Sequence, residues 1–498
     1  MKTSIRLALA AITFSFATAA TAQQELGSAY FMEGSLFRHE LNPAFEGQQS
    51  YFSLLPLGHL GLGLKSNLGM SNLLYNRGGK TVTYLHPDVS VTEALSNIKN
   101  NNRMVFNFKM GLVNVGFSGI GGFNTIGINV RSFFGLHLPY DLFDLTKNLQ
   151  NRNYQIGNTG VQAQGFVELA LGHSHRIDEH WRVGGKLKVL IGGGRANAEL
   201  DDLKLNLLST NNWSATAHAT VEANVKGLQV KTKQEEYNNA DERAAQGLSR
   251  TYNTLDDFDV KNPGIGGWGL GLDLGTEYDF ADIVPGLKAS IAFLDLAFIK
   301  WNESHIIENN GQTFNFNGFN NIQVKDGNGT KFKDQANDLK DRFMNLYDLQ
   351  NKGNTGSSTH GIGATMNIGV EYALPMYDKL RFGLLSSTHI HGDYSWNEER
   401  LSVNFAPCNF FEMNINGAVG SFGTSFGWML NLHPVGFNLF LGMDHLLGKV
   451  SKQFIPLSSN VDFTMGVSFP LTQAKKQPQK PKLKADVELP EIIPSQVP

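Results

Sequence analysis

The chain has 498 residues, 41% of them hydrophobic and 17% charged, with a formal net charge of −3. That balance gives no electrostatic footprint for nucleic acid, and a single cysteine, Cys408, excludes an internal disulfide framework. The 53 glycines and 34 phenylalanines suit many strands joined by tight turns and flanked by aromatic girdles.

Residues 1–22 read as a secretory signal. Lys2 and Arg6 form the positive start, Leu7 to Ala20 the apolar core, and Ala20-Thr21-Ala22 a small-residue cleavage site, so a mature chain is expected to begin near Gln23. No later run of 18 apolar residues occurs, so no transmembrane helix is expected. An exported chain of this kind is either soluble or a barrel. Residues 23–50 contain AYFMEGSLFRHELNPAF, which has neither strand alternation nor a helical stripe, and Pro43 ends any regular element. This segment reads as a plug or hatch ahead of the barrel.

From residue 103 onward, apolar residues alternate with small or polar ones, the signature of strands whose side chains point to opposite faces. Met104, Phe106, Phe108 and Met110 share a face that switches to Val113, Val115 and Phe117, which predicts a bulge. Ile126 to Leu138, Val161 to Leu171 and Trp181 to Ile191 follow, with a weaker hairpin over 199–225 and a polar loop over 226–263. The cleanest strand is Gly267 to Phe280. Its even face carries Trp268, Leu270, Leu272, Leu274 and Tyr278, and its odd face glycines with Asp273 and Glu277. Ten steps at ~3.3 Å and a tilt near 40° span about 25 Å, the height of a lipid-facing band. Leu287 to Trp301 returns with a slip near Asp295. Residues 302–357 are polar, with an amphipathic helix expected through Ala336, Leu339, Phe343 and Leu346. Alternating segments resume from Ile362 and continue to Phe469.

The short turns at 177–180, 281–285, 375–378 and 433–435 all fall on one side. The long segments 139–159, 226–263 and 302–357 fall on the other, as in bacterial outer-membrane barrels. The expected architecture is therefore an all-β, antiparallel transmembrane barrel over 51–470, of about 14 strands (range 12–16). Its C-terminus would lie in the periplasm, and the Pro- and Lys-rich residues 471–498 would form an extended tail there.

The stretch Ala29 to Phe45 resembles the N-terminal signature of an uncharacterised outer-membrane barrel family of Bacteroidota. Within it, Asn42-Pro43-Ala44 is similar to the hatch motif of the FadL-like long-chain fatty-acid channel superfamily, which also includes the PorV-like barrels of type IX secretion. The resemblance implies 14 strands, an N-terminal hatch inside the lumen, and either passage of hydrophobic compounds or service to a secretion machine. The expected lumen is charged, with Arg131, Glu168, Arg182, Lys186, Lys188, Asp273, Glu277, Glu371 and Arg381 as pore-lining candidates. That set suits a water-filled or plugged pore better than a greasy tunnel. Trp181, Trp268, Tyr278, Trp301 and Trp428 are the candidate aromatic girdle at the lipid boundary.

Three other patterns carry less. Gly264 to Gly269 matches GxGxxG, but a dinucleotide site needs those glycines to open a helix, and here they run into a strand. His389, His391 and Asp393 share a strand face, yet residues two apart sit roughly 6.5–7 Å from each other, which leaves a metal site a weak candidate. His173-Ser174-His175 is weaker still. No serine stands in a motif with an activating histidine, so an enzyme is not expected, and neither is a cofactor. The expected partners are outer-membrane lipids, with small hydrophobic solutes or a secretion or surface protein besides.

Overall fold

A computed structural model describes residues 27–54, 58–208, 213–237, 240–245, 247, 249–309, 313–316, 349–446 and 460–471. The signal segment, the helix expected through 336–346 and all but the first residue of the tail lie outside these residues. Among the described residues, fourteen strands close into one antiparallel barrel. In chain order these are β1 (Tyr51–Leu54 and Leu60–Ser66), β2 (Asn101–Gly119), β3 (Gly122–Pro139), β4 (Asn153–Arg176), β5 (Trp181–Asn206), β6 (Gly267–Asp279) and β7 (Leu287–Trp301). They continue with β8 (Ala364–Leu374), β9 (Tyr377–Ile390), β10 (Trp396–Cys408), β11 (Phe411–Gly420), β12 (Gly423–Leu432), β13 (Asn438–Met443) and β14 (Val461–Pro470). Both pieces of β1 pair with β2 on one side and with β14 on the other, which closes the ring and leaves no free edge.

The alternation read from the sequence is the alternation of the wall. Trp268, Leu270 and Leu274 are exposed, whereas Asp273 and Glu277 on the same strand are buried. The exposed side carries Leu187 and Val189 on β5, Phe293 and Phe298 on β7, Ile368 and Val370 on β8, and Leu401 and Val403 on β10. Such a continuous apolar belt around a polar interior is the inverse of a soluble fold and fits a barrel that faces lipid.

Two bulges adjust the pairing. The β2–β3 register shifts between Gly111 and Val113, where the apolar face was expected to switch. The β6–β7 register shifts opposite Leu294 and Asp295, and Asp295 takes a positive φ of 58°. Leu294 and Asp295 are consecutive and both buried, so residues beyond them change face. This corrects one girdle assignment. Trp301 would face outward if β7 kept its phase; with the extra residue it turns inward and is fully buried among Phe166, Leu190, Ile299 and Ile362. Trp181 and Trp268 remain on the exposed face, and Tyr278 and Trp428 are half-buried.

The sheet also grows past the barrel on the side of the long connections. β4 and β5 run for 24 and 26 residues, well beyond the about 9–11 that a tilted strand needs to cross a bilayer. The upper part of β5 pairs with Trp213–Val225, which pairs with His305–Asn309 and Thr313–Phe316. Residues 226–263, expected as a loop, contain a hairpin of Leu228–Glu236 and Thr251–Val260. Most of the Leu228–Glu236 strand is exposed, so no apolar face marked it in the sequence.

Candidate functional site

Residues 27–50 occupy the barrel interior. The segment folds on itself through two 3-10 turns, Gly27–Ala29 and Arg38–Glu40. Arg38 donates from Nε to the Tyr30 carbonyl at 2.9 Å, and its guanidinium lies 4.1 Å from the Phe45 ring centroid. Tyr30, Phe31, Met32, Leu36, Phe37, Leu41 and Phe45 form an apolar cluster that continues into Tyr51, Phe123, Leu385, Met429 and Phe440 of the wall. A stretch with no strand or helix period thus has its own small core, which explains why neither pattern could be read in it.

Polar ties hold this segment to strands all around the ring, which only an interior position permits. Glu33 pairs with Lys288 of β7 at 2.7 Å and with Arg381 of β9 at 3.0 Å. Glu40 meets Lys109 of β2 at 3.0 Å and His59 at 2.9 Å. Lys186 of β5 donates to the His39 carbonyl at 3.2 Å. At the start of the segment, the Gly27 and Ser28 amides donate to the Asp444 carboxylate at 2.7 and 2.8 Å, and Arg400 of β10 lies 3.4 Å from the same carboxylate. Burial alone would raise the Glu40 and Glu33 carboxyls. Lys109, with the His59 ring beside it, outweighs burial for the first and Lys288 and Arg381 outweigh it for the second, which holds both well below the usual carboxylate range.

Asn42-Pro43-Ala44 is a close contact of segment and wall. Asn42 accepts the Ala44 amide at 2.9 Å and donates to the Thr276 carbonyl at 3.2 Å, so one side chain shapes the turn and ties it to β6. The wall has glycine where the turn touches it. A Cβ on Gly275 would sit 2.0 Å from Asn42 Oδ1, and one on Gly184 would sit 2.1 Å from the Pro43 carbonyl oxygen. The glycines of the β6 odd face are therefore not merely small lumen positions; Gly275 is part of a docking surface.

The charged candidates lie on the inner face; Lys186 binds the His39 carbonyl, and the others are ion-paired. Arg131 forms a two-point contact with Asp295 at 2.8 and 2.7 Å and also binds Glu168. Lys188 meets Asp295 at 2.6 Å, Asp273 at 2.7 Å and Glu168 at 3.5 Å. Arg182 pairs with Glu277 at 2.9 Å, and Arg381 lies 3.8 Å from Glu371. Asp295, Lys288 and Glu33 complete these networks, and Glu40 and Asp444 tie the segment to the wall elsewhere, without having been singled out in the sequence. Only Asp295 left a trace there, as a break in the β7 pattern.

Above the segment, toward the long connections, a cavity of about 60 Å³ is lined by Lys65, Arg131, Gln164, Phe166, His389 and Trp396, among others. Below it, a space of about 10 Å³ remains beside His39, Pro43 and Lys186, room for about one water. The histidines at 389 and 391 do not form a metal set with Asp393. His389 lies 3.0 Å from the Thr365 hydroxyl through Nδ1 and stacks on Trp396; His391 packs on Phe133; Asp393 is exposed. Among the described residues no three such ligands gather.

These features define a class: a 14-stranded, lipid-type β-barrel whose N-terminal segment is folded into a charged lumen. The chain belongs to a family of unknown function, DUF5723, whose model matches residues 43–444. No curated protein matches it. Similar solved structures include the toluene transporter TbuX of Ralstonia pickettii, at 8% identity and a TM-score of 0.37, covering 90% of this chain and 95% of that one. A FadL homologue of Pseudomonas aeruginosa gives 10% identity and a TM-score of 0.40, with 91% and 100% covered. The monoaromatic hydrocarbon channel CymD gives 8% identity and a TM-score of 0.28, with 92% and 96% covered.

Proposed function

We propose that this protein is a passive outer-membrane channel for small compounds, built on the FadL-like plan, with residues 27–50 acting as its hatch. The observation that supports this best is the way the segment is seated. It fills the lumen, yet it is joined to the wall by side-chain ties and a glycine-lined dock, with no strand pairing of its own. Such a seat can be left without opening the barrel sheet. Passage would be diffusion, with no covalent step and no cofactor. In this reading the short turns and the C-terminus face the periplasm, and the exposed apolar belt meets outer-membrane lipid.

Two measurements test it. The protein should stay with the outer-membrane fraction after carbonate or urea washing; release into the soluble fraction overturns the membrane assignment. In planar bilayers, removal of residues 23–50 should raise single-channel conductance. If removal opens no larger pore and small solutes never cross, the channel reading fails.

The sheet extension built on Trp213–Val225 favours a second reading, a PorV-like scaffold that docks a secretion or surface protein. Co-purification of a surface protein that is lost when 213–225 is altered, with no solute passage, would select it.

A further inference from the structure

The cavity above the hatch is lined by two cations, and both are already matched. The terminal nitrogens of Arg131 are taken by Asp295 and Glu168, and its Nε is sealed in the wall. The Lys65 ammonium lies 3.8 Å from Glu398 and 3.7 Å from the centre of the Trp396 ring. An anion would have to displace those carboxylates, and a cation would meet two like charges. The groups left open to the cavity are neutral. Asn107 is only partly buried, and among the described residues its amide has no hydrogen-bond partner. Gln164 is 4% exposed; its Nε2 is sealed, whereas its Oε1 keeps accessible surface and has no partner among the described residues. His389 engages the Thr365 hydroxyl through Nδ1 at 3.0 Å and leaves Nε2 open. Ser387 donates to Asn367 Oδ1 at 2.8 Å, and its oxygen can still accept. Donor and acceptor capacity are thus mixed around one small space, beside the apolar Phe166, Ile362 and Leu385.

We propose that this cavity binds a small neutral polyol of the glycerol class. Each hydroxyl both donates and accepts, so neighbouring hydroxyls can answer the Asn107 amide, Gln164 Oε1 and His389 Nε2 together. The C–H face of the solute would lie against Phe166 and Leu385. A hydrocarbon of the same size would leave those polar groups dry and unmatched, and a site built to hydrogen-bond hydroxyls rejects an analogue that lacks them. The space of about 60 Å³ is room for roughly four to six waters, which a three-carbon triol fills. Gly27 and Leu41 of the N-terminal segment share the lining, so the solute would rest on the hatch itself. The proposal names a solute class for the channel described above and rests on that reading for how the solute leaves; binding itself does not depend on it.

Isothermal titration of the full-length protein in detergent tests it, with glycerol, 1-propanol, propionate, propylammonium and mannitol as probes. Glycerol should bind saturably and about tenfold or more tighter than 1-propanol. The two ions, and mannitol as a polyol too large for the space, should bind no better than 1-propanol. Asn107→Leu keeps the shape and removes both polar atoms; it should weaken glycerol by about tenfold and leave 1-propanol unchanged. Gln164→Met keeps the stem and removes the acceptor, and should weaken glycerol by a smaller factor. Absence of saturable glycerol binding, an ion or 1-propanol that binds as tightly, or glycerol binding unchanged in both variants overturns the proposal. The comparison of probes needs only the unaltered protein, so it stands even where a variant fails to fold. Proteoliposome swelling, measured above the rate of protein-free vesicles, separates the two readings. Glycerol that binds without entering faster defeats the channel and leaves the site; solutes that enter with no saturable glycerol binding defeat the site and leave the channel.

Discussion

Among the described residues, two of the lumen's sets of ion pairs look alike in distance but differ in what they join, and the first is the more deeply buried. Arg131, Glu168, Lys188, Asp273 and Asp295 lie on β3 to β7 and join wall to wall. Glu33 with Lys288 and Arg381, and Glu40 with Lys109 and His59, join the N-terminal segment to the wall. The first set can break only if the barrel distorts. The second can break by a rigid withdrawal of one segment, after which each charge faces an aqueous lumen instead of a dry contact. Buried pairs contribute little net stability compared with apolar packing, but removing one partner is costly because the other stays buried and unpaired. The same physics therefore makes the wall set a structural girdle and the segment set a latch.

Asp295→Ala tests the girdle and should have the largest effect. It strips one carboxylate from both Arg131 and Lys188, and breaking a buried pair in this way costs about 3–5 kcal/mol. The loss should appear in urea unfolding of the lipid-reconstituted protein, with the hatch still protected from protease. A hatch that becomes cleavable while unfolding is unchanged would reverse the assignment of the two sets.

Glu40→Gln tests the latch. Lys109 loses its charge partner, but it can regain water once the segment shifts, so the loss in unfolding should be smaller, about 1–3 kcal/mol. The main readout is higher conductance and faster cleavage within 27–50. Acid should act on the same tie with a defined sign. The Glu40 carboxyl lies well below its ordinary value in the folded protein, because Lys109 and His59 outweigh burial. Its contribution is then complete above the unfolded value of about 4.3 and is lost only as pH falls through the lower, folded value. Conductance should stay flat from neutral pH to about 4.3 and rise in stronger acid. A rise already near neutral pH would show that another group controls the latch.

How much of this was legible in the sequence depends on the range of the contact. β6 was legible from Trp268 to Tyr278 because each residue's face is set by its own neighbours and by lipid or lumen. The sorting of turns was legible because it follows from strand parity alone. Trp301 was misplaced because one extra residue at Leu294-Asp295 reverses every later side, and only the β6 partner register fixes where that residue falls. The charged faces could be listed but not their pairings. The ties of the N-terminal segment were out of reach altogether: the Gly27 amide meets the Asp444 carboxylate 417 residues away, and neither residue has a local pattern that announces it. Asn42-Pro43-Ala44 was visible as a motif, but its dock on Gly184 and Gly275 exists only once β5 and β6 lie side by side.

That dock provides the smallest and most selective perturbation. Gly184→Ala adds one methyl group on the inner face of β5, with no charge changed and no ion pair touched. The new Cβ would fall 2.1 Å from the Pro43 carbonyl oxygen, a backbone atom that cannot swing aside as a side chain could. The wall is fixed by pairing of β5 with β4 and β6, so the segment must yield. Overpacking of this kind costs about 1–3 kcal/mol, and here it should be expressed as displacement of the hatch, because that is the softer partner. Unfolding of the barrel should therefore move little, while conductance and cleavage within 27–50 rise. Gly185→Ala, whose Cβ would find its nearest neighbour at 3.7 Å, should change neither. If both substitutions behave alike, the segment is not seated through Pro43, and the distinction between girdle and latch loses its geometric basis.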